Sequence, residues 1–287
     1  MRRFLEWRRL AAVASLAGAL VAGPSEAQET AGLTFDVTVN TGDSAAGSHQ
    51  TGRGWIAGKR TRIDLRGGMP GTAMPGMDGD NISIIVHDSS DAPTVALVMH
   101  DTKKFMYPSR MMEQLKEMME AMPEKPAMTF SVTNIVVDTL GAGETISGFA
   151  TKRYKVSADI AMSIEMMSEH VSESMHVESE GDFAEELSDY SDPLRDTRGF
   201  KSAMSGMPWA DSASTAEMEK LIRAAPRGLA LRQVDRVTGV SEGGEPVQTT
   251  TTRFSNIKRE SVPLSMFAIP EGYTEMEMPM VGGPDVN

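Results

Sequence analysis

Methionine is the residue this chain uses most unusually. It fills 23 of 287 positions, against no cysteine and five histidines. Thioether sulfur is a soft ligand that suits Cu(I). Met69, Met74 and Met77 lie close together in the Gly/Pro-rich stretch Gly67–Asp80 and could close on one ion, and Met276, Met278 and Met280 form a second group. Methionine also fills adaptable apolar surfaces. Three readings therefore stand side by side: plain core, a flexible lid that touches a ligand, and a copper site. The histidines offer less. His170 and His176 sit in EHVSESMHVESE among Glu169, Glu173 and Glu178. On a strand they would share a face about 20 Å apart, and on a helix they would stand about 120° apart around the axis. Neither geometry lets both hold one ion, so a solvated polar face is the better reading. Asp78 and Asp80 resemble the start of a calcium loop, but its twelfth position is Ser89, where a bidentate Glu is needed.

Catalytic signatures are missing. The chain has no Gly-x-Ser-x-Gly elbow, no phosphate-binding P-loop motif and no His-Glu-x-x-His. Gly52-Arg53-Gly54 falls inside an expected hairpin, not between a strand and a helix. Without cysteine and with scattered histidines, nucleophilic and acid–base chemistry have few players. The expectation is a non-enzymatic protein with no cofactor.

The elements that must position any site are strands. In Tyr154–Met166 (YKVSADIAMSIEM) every second residue is apolar, while those between are mostly polar. A period of two marks a strand with one buried and one wet face. A helical face through Ile160, Ile164, Met167 and Val171 fits less well. Leu33–Asn40 alternates too. Gln50–Ala57 and Arg60–Arg66 read as a hairpin across Gly58-Lys59, with Ile63 and Leu65 facing in and Arg60, Arg62, Asp64 and Arg66 facing out. Ile82–His87 pairs with Thr94–His100, and Lys103–Tyr107 is a short strand. Met128–Val137 precedes one long element, Glu144–Met166, bent at Gly148, which Ser168–Glu180 could continue. Leu229–Val237 and Pro246–Asn256 form an antiparallel pair, and Lys258–Val262 adds an edge.

Helices are fewer. Ser109 caps a helix that runs to Met122 with Met111, Met112, Leu115, Met118, Met119 and Met122 on one side and charged residues on the other. Ser214-Thr215-Ala216-Glu217 is a capping box opening a second helix, closed by Pro226 and Gly228. A short third helix is expected at Asp182–Leu187. The fold class expected from these segments is mainly β (α+β): a curved antiparallel sheet with two or three covering helices.

The N-terminus reads as an export signal. Arg2, Arg3, Arg8 and Arg9 precede the apolar run Leu10–Ala22, and Ser25-Glu26-Ala27 suits a signal peptidase. Cleavage after Ala27 would place the protein in the periplasm. The domains expected are a signal peptide (1–27), a single domain (28–275) and a flexible tail (276–287). The whole chain carries a net charge of −12. The leader holds four arginines against Glu6 and Glu26, so the mature chain is more acidic still. That charge argues against nucleic acid and against anionic lipid headgroups as a docking surface.

Two short motifs carry a resemblance. Gly143-Glu-Thr-Ile146-Ser-Gly148 precedes Lys152-x-Tyr154, and Pro263-Leu-Ser-Met-Phe267-Ala-Ile269-Pro-Glu-Gly272-Tyr273 comes near the end. The chain resembles uncharacterised bacterial periplasmic domains similar to the LolA/LolB lipoprotein-carrier superfamily, over Leu33–Tyr273. The resemblance implies that the curved sheet forms an unclosed half-barrel, an open β-barrel with an apolar concave face, plugged by helices, that holds acyl chains. Gly67–Asp80 and Gly181–Pro208 have no counterpart in the carriers.

The functional expectation is a periplasmic carrier or binding protein for a lipid or other hydrophobic ligand. The sheet side of its cavity would be Ile63, Leu65, Phe130, Val132, Tyr154, Val156 and Ile160. The lid side would be Met111, Met112, Leu115, Met118, Met119 and Met122. The alternatives are a Met-rich copper protein using Met69, Met74 and Met77, and a structural partner of another envelope protein without a ligand.

Overall fold

A computed structural model describes residues 29–42, 48–67, 80–88, 93–121, 127–166, 169–190, 226–239 and 248–276. The expected signal peptide, the second helix from Ser214, the tail after Met276, and Met69, Met74, Met77 and Met122 lie outside the described residues.

The chain is mainly β. Its strands are β1 (Glu29–Thr41), β2 (Ser48–Ala57), β3 (Arg60–Arg66), β4 (Asn81–Asp88), β5 (Pro93–Met99), β6 (Lys104–Met106), β7 (Ala127–Ala142), β8 (Lys152–Met166), β9 (Glu169–Ala184), β10 (Leu229–Gly239), β11 (Gln248–Pro263) and β12 (Thr274–Glu275). They make one unclosed sheet in the order β12-β6-β5-β4-β3-β2-β1-β11-β10-β9-β8-β7. Every neighbouring pair is antiparallel except β12, which runs parallel to β6. Pairing of β1 with β11 joins an N-terminal half, β1–β6, to a C-terminal half, β7–β11.

Alternation sets the two faces. Leu33, Phe35 and Val37 of β1 stand in register with Ile56, Gly54 and Gly52 of β2. Those glycines stand in turn opposite Ile63 and Leu65 of β3. The glycine at 54 makes room for a ring, since a Cβ there would sit 2.1 Å from Phe35. On the same face Phe35 and Phe254 meet with ring centroids 4.4 Å apart. The main core is built on this face, with Ile146, Leu187 and Leu229 packed into it. We call it the apolar face.

The hairpin β2–β3 turns at Gly58 with φ +56°, a left-handed conformation that glycine adopts without a Cβ penalty. Other expectations change. Among the described residues there is one α-helix, α1 (Pro108–Ala121), where two or three were expected. Glu144–Thr151 is not the start of a long strand. Ser147 (φ 50°) and Gly148 (φ 87°) turn the chain tightly, and Ile146 bridges Phe149. Positive φ at two successive residues cannot be fitted into a strand. Residues 169–180 do not extend β8; they fold back antiparallel on it as β9. β9 runs through Ala184, and only Glu185–Leu187 forms a turn of 3-10 helix, in place of a helix from Asp182. Lys258–Val262 is no separate edge: it is the end of β11, paired with β1 in mid-sheet.

After β11 the chain crosses to the opposite face. A 3-10 turn, Leu264–Phe267, packs Phe267 against Ala57 and Val262. Ile269 and Tyr273 then pack on Ile85, Ala96 and Val98. This C-terminal arm ends in β12 at the sheet edge.

Candidate functional site

The register places the expected sheet-side residues on one face. Ile63 pairs with Ile84, Leu65 with Ile82, Val132 with Ile160, and Phe130 with Met162. Tyr154 stands opposite Gly181, and Val156 opposite Ser179. Their surroundings differ. Ile63 and Leu65 are buried within the filled main core. Val132 is buried with Ala158 in a separate small cluster that Ile160 and Ile135 flank. Tyr154, Val156 and Ile160 are only partly buried. Thus the apolar face is filled where β1, β2 and β3 meet, and it is part-open along β8, as it also is at Ile84 and Leu97. The side chains of Phe130, Met112, Leu115, Met118 and Met119 are not among those described.

The helix α1 begins on the apolar side of the sheet edge. Met111 packs with Met99, Met106 and Leu97 on that face, and Met276 joins them from the end of the arm. Four thioethers from four separate stretches here form one apolar cluster, which is methionine's gap-filling role.

Beside the sealed core the apolar face opens into a cleft of about 790 Å³. Its floor is Tyr154 and Phe183, whose rings meet edge to face at 5.8 Å. Two local features make the space. The pairing of β7 with β8 shifts between Thr139 and Gly141, and Gly141 takes φ 98°. Gly141 and Ala142 then leave the wall without bulk. In addition, Gly181 leaves room for the edge of the Phe183 ring, because a Cβ there would fall 2.5 Å from Phe183 Cε2. Lys152 and Glu185 stand at the rim as an ion pair of 2.8 Å. The Glu185 partner holds the Lys152 ammonium above its usual range.

Behind the cleft the opposite face carries a ladder of charge. Arg153 on β8 grips Asp182 on β9 through Nε–Oδ1 at 2.7 Å and Nη2–Oδ2 at 2.9 Å. Lys155 Nζ lies 2.6 Å from Glu178, which Arg236 of β10 also reaches at 3.1 Å. Arg253 donates two bonds to Glu144. The hydrogen bond from Arg253 holds the Glu144 carboxyl below its usual range, and Lys155 does the same for Glu178. Asp182 is fully buried. It is tolerated because Arg153 satisfies both of its oxygens.

Sequence reasoning missed a polar chain under the C-terminal arm. Arg62 Nε donates to Asp64 at 2.6 Å, and Ser83 Oγ donates to the same oxygen at 2.5 Å. His100 Nε2 lies 2.5 Å from Ser83 Oγ, and its Nδ1 lies 2.8 Å from the Tyr273 hydroxyl. Serine, histidine and aspartate are together, but the protons run the wrong way for a relay. The one hydroxyl proton of Ser83 goes to Asp64, so His100 Nε2 must donate to Ser83 and Nδ1 must accept from Tyr273. A nucleophile needs the imidazole as acceptor from its hydroxyl. Ser83 is also completely buried. Residues 62, 83, 100 and 273 are too far apart in sequence for spacing to have joined them.

His170 and His176 both lie on β9, and His176 binds Asp159 at 2.6 Å. Among the described residues no three His, Cys, Asp or Glu side chains converge as a metal site. No described helix is long and apolar enough to cross a membrane.

Comparison with known proteins adds little. No family model matches the chain, and no curated protein matches it. Among solved structures the chain is similar to a DUF1329 family protein from Desulfovibrio piger. The identity is 8% and the TM-score 0.29, over 85% of this chain and 91% of that one.

Proposed function

We propose that this is a non-enzymatic periplasmic protein that binds a hydrophobic or amphiphilic small molecule on the part-open stretch of its apolar face. One observation carries the reading. The face that is filled at Ile63 and Leu65 continues, in register, to Tyr154, Val156 and Ile160, where it is only partly covered. The cleft over Tyr154 and Phe183, at about 790 Å³, has the size of small-molecule sites, roughly 300–1,000 Å³. Its aromatic floor suits an apolar body, and the Lys152–Glu185 rim suits a polar end that stays near water. The export address rests on the leader sequence. The α1 helix, beginning beside the same face, would act as the lid.

The test is mass spectrometry of an organic extract from protein purified from its own periplasm without detergent. The expected result is one apolar species in stoichiometric amount. Its amount should fall sharply in the double variant Val156→Glu with Ile160→Glu, while far-UV circular dichroism stays β-rich. An empty wild-type protein, or full retention by a folded double variant, would overturn the reading.

A further inference from the structure

We infer that Met111 and Met276 form a reversible oxidation site, where a peroxide converts both thioethers to sulfoxides and uncouples the first turn of α1 from the end of the C-terminal arm. This does not depend on what the apolar face binds.

All sulfur in this chain is thioether: 23 methionines and no cysteine. With hydrogen peroxide the O–O bond breaks and one oxygen forms the new S–O bond. The other oxygen leaves as water with both protons. The sulfur loses two electrons and the peroxide gains them, giving methionine sulfoxide.

Position decides which sulfurs react and what the reaction breaks. In the cluster at the sheet edge Met99 and Met106 lie innermost, 1% and 7% exposed. Met111 and Met276 pack on them from outside and are only partly buried. Oxidant meets the outer pair directly, while the inner pair must wait for a local opening. The outer pair is also the one that joins two elements to the sheet. Met111 is the residue of α1 that, among the described side chains of that helix, enters an apolar cluster. Met276 ends the arm, with its N–H donating to the Phe105 carbonyl at 2.8 Å.

A sulfoxide is polar, and a buried oxygen without a hydrogen bond is costly. Leu97, Met99 and Met106 have no side-chain donor to offer it. The oxidised side chains must therefore turn toward water and leave the cluster. The link that stays between α1 and the arm is weak. Arg110 donates to both oxygens of Glu275 at 2.6 Å, but its side chain is 60% exposed, and exposed ion pairs contribute little. The preceding part of the arm does not rest on this cluster. Ile269 and Tyr273 pack on Ile85, Ala96 and Val98, and Phe267 packs on Ala57 and Val262. The loosening is therefore local, confined to residues 274–276 and the first turn of α1.

Hydrogen peroxide on the full chain at neutral pH is the test. Peptide mass spectrometry reads oxygen uptake at each methionine, and hydrogen exchange reads protection. Met111 and Met276 should take up oxygen several-fold faster than Met99 and Met106. As they do, residues 274–276 and 108–112 should exchange several-fold faster, while 268–273 and β1 keep their rates. Methionine sulfoxide reductases A and B, one for each epimer, should restore the protection. Met111→Leu with Met276→Leu, swaps that keep volume and apolarity, should hold protection in peroxide while other methionines still oxidise. Uptake at Met99 and Met106 as fast as at the outer pair would overturn the proposal. So would full protection after both outer sulfurs are oxidised, or the same loosening in the double variant. If that variant does not fold, the reductase step on the parent protein decides, and failure to regain protection counts against the site.

Discussion

The two halves of the sheet solve the same problem differently on the face opposite the main core. Both carry charged residues there, on β3 in one half and on β8, β9 and β10 in the other, while β4 and β5 also present Ile85, Ala96 and Val98. In the N-terminal half the C-terminal arm lies over that face, and Arg62, Asp64, Ser83 and His100 are enclosed in a chain where each proton has one place to go. In the C-terminal half Arg153, Lys155, Glu178, Asp182 and Arg236 cross-brace neighbouring strands. Cross-strand pairs of opposite charge brace a sheet from strand to strand, and here Asp182 is fully buried while Glu178 is part-exposed. The lesson concerns what the alternation decides. It assigns faces, but whether a polar face is solvated or capped depends on a segment that arrives from elsewhere in the chain.

The sharpest way to break this contrast is to remove the cap's anchor. Phe267→Ala deletes a buried ring packed between Ala57 and Val262. Such truncations cost about 3–5 kcal/mol. The loss should appear as a lower denaturation midpoint with little dependence on salt, because the contact is apolar. A midpoint near that of the parent would mean that the arm is not part of the cooperative unit.

A somewhat smaller effect should come from the other half. Asp182→Ala leaves Arg153 facing Glu180 alone, at 3.6 Å, and takes away both oxygens of the buried carboxylate. Breaking a buried pair by removing one partner costs about 3 kcal/mol or more, and the part-exposed arginine, free to turn toward water, keeps the figure at the low end. Thermal unfolding measures it. Replacing Arg153 and Asp182 together with apolar residues should restore part of the loss but not all of it, since Arg232, 3.5 Å from Asp182, keeps its charge; no recovery would mean that the pair with Arg153, not its orphaned guanidinium, sets the cost.

How much of this was legible beforehand follows from the range of each interaction. Tyr154, Val156 and Ile160 were assigned to one face, and the structure keeps them there, because a period of two needs only neighbours. The β2–β3 hairpin was legible for the same reason: Gly58-Lys59 supplies the turn and Ile63 and Leu65 mark the inner face. The mainly β architecture followed from those segments. What failed were boundaries that tertiary contacts decide. The strand expected from Glu144 was lost to the turn at Ser147–Gly148, which exists because Ile146 is drawn into the main core. Lys258–Val262 was expected to add an edge, yet it pairs with β1 in mid-sheet. Phe267, Ile269 and Tyr273 were noticed as a motif, but the face they cover could not be read from their spacing. The Ser83–His100 contact was invisible for the same reason.

The smallest effect, and the one that separates the halves most cleanly, is their order of response to acid. In the N-terminal half the titrating group is His100, held low by burial. Its contribution is complete above the ordinary histidine value and declines as pH falls through it. In the C-terminal half the groups are Glu144 and Glu178, each held low by the hydrogen bond from its cation. Their contribution is complete above the ordinary carboxylate range and is lost only as pH drops below it, toward the depressed folded values. Acidification should therefore weaken the surroundings of half-buried His100 first, with the β8–β10 ladder still protected, and reach the ladder later. Residue-resolved exchange along a pH series reads the order directly. Raising the salt concentration should weaken the exposed Arg253–Glu144 pair and leave the His100 step in place, because screening acts on solvent-exposed charges far more than on a half-buried imidazole. Simultaneous loss of both halves at one pH would mean that the sheet opens as a single unit and that the two coverings, though built differently, are coupled through β1 and β11.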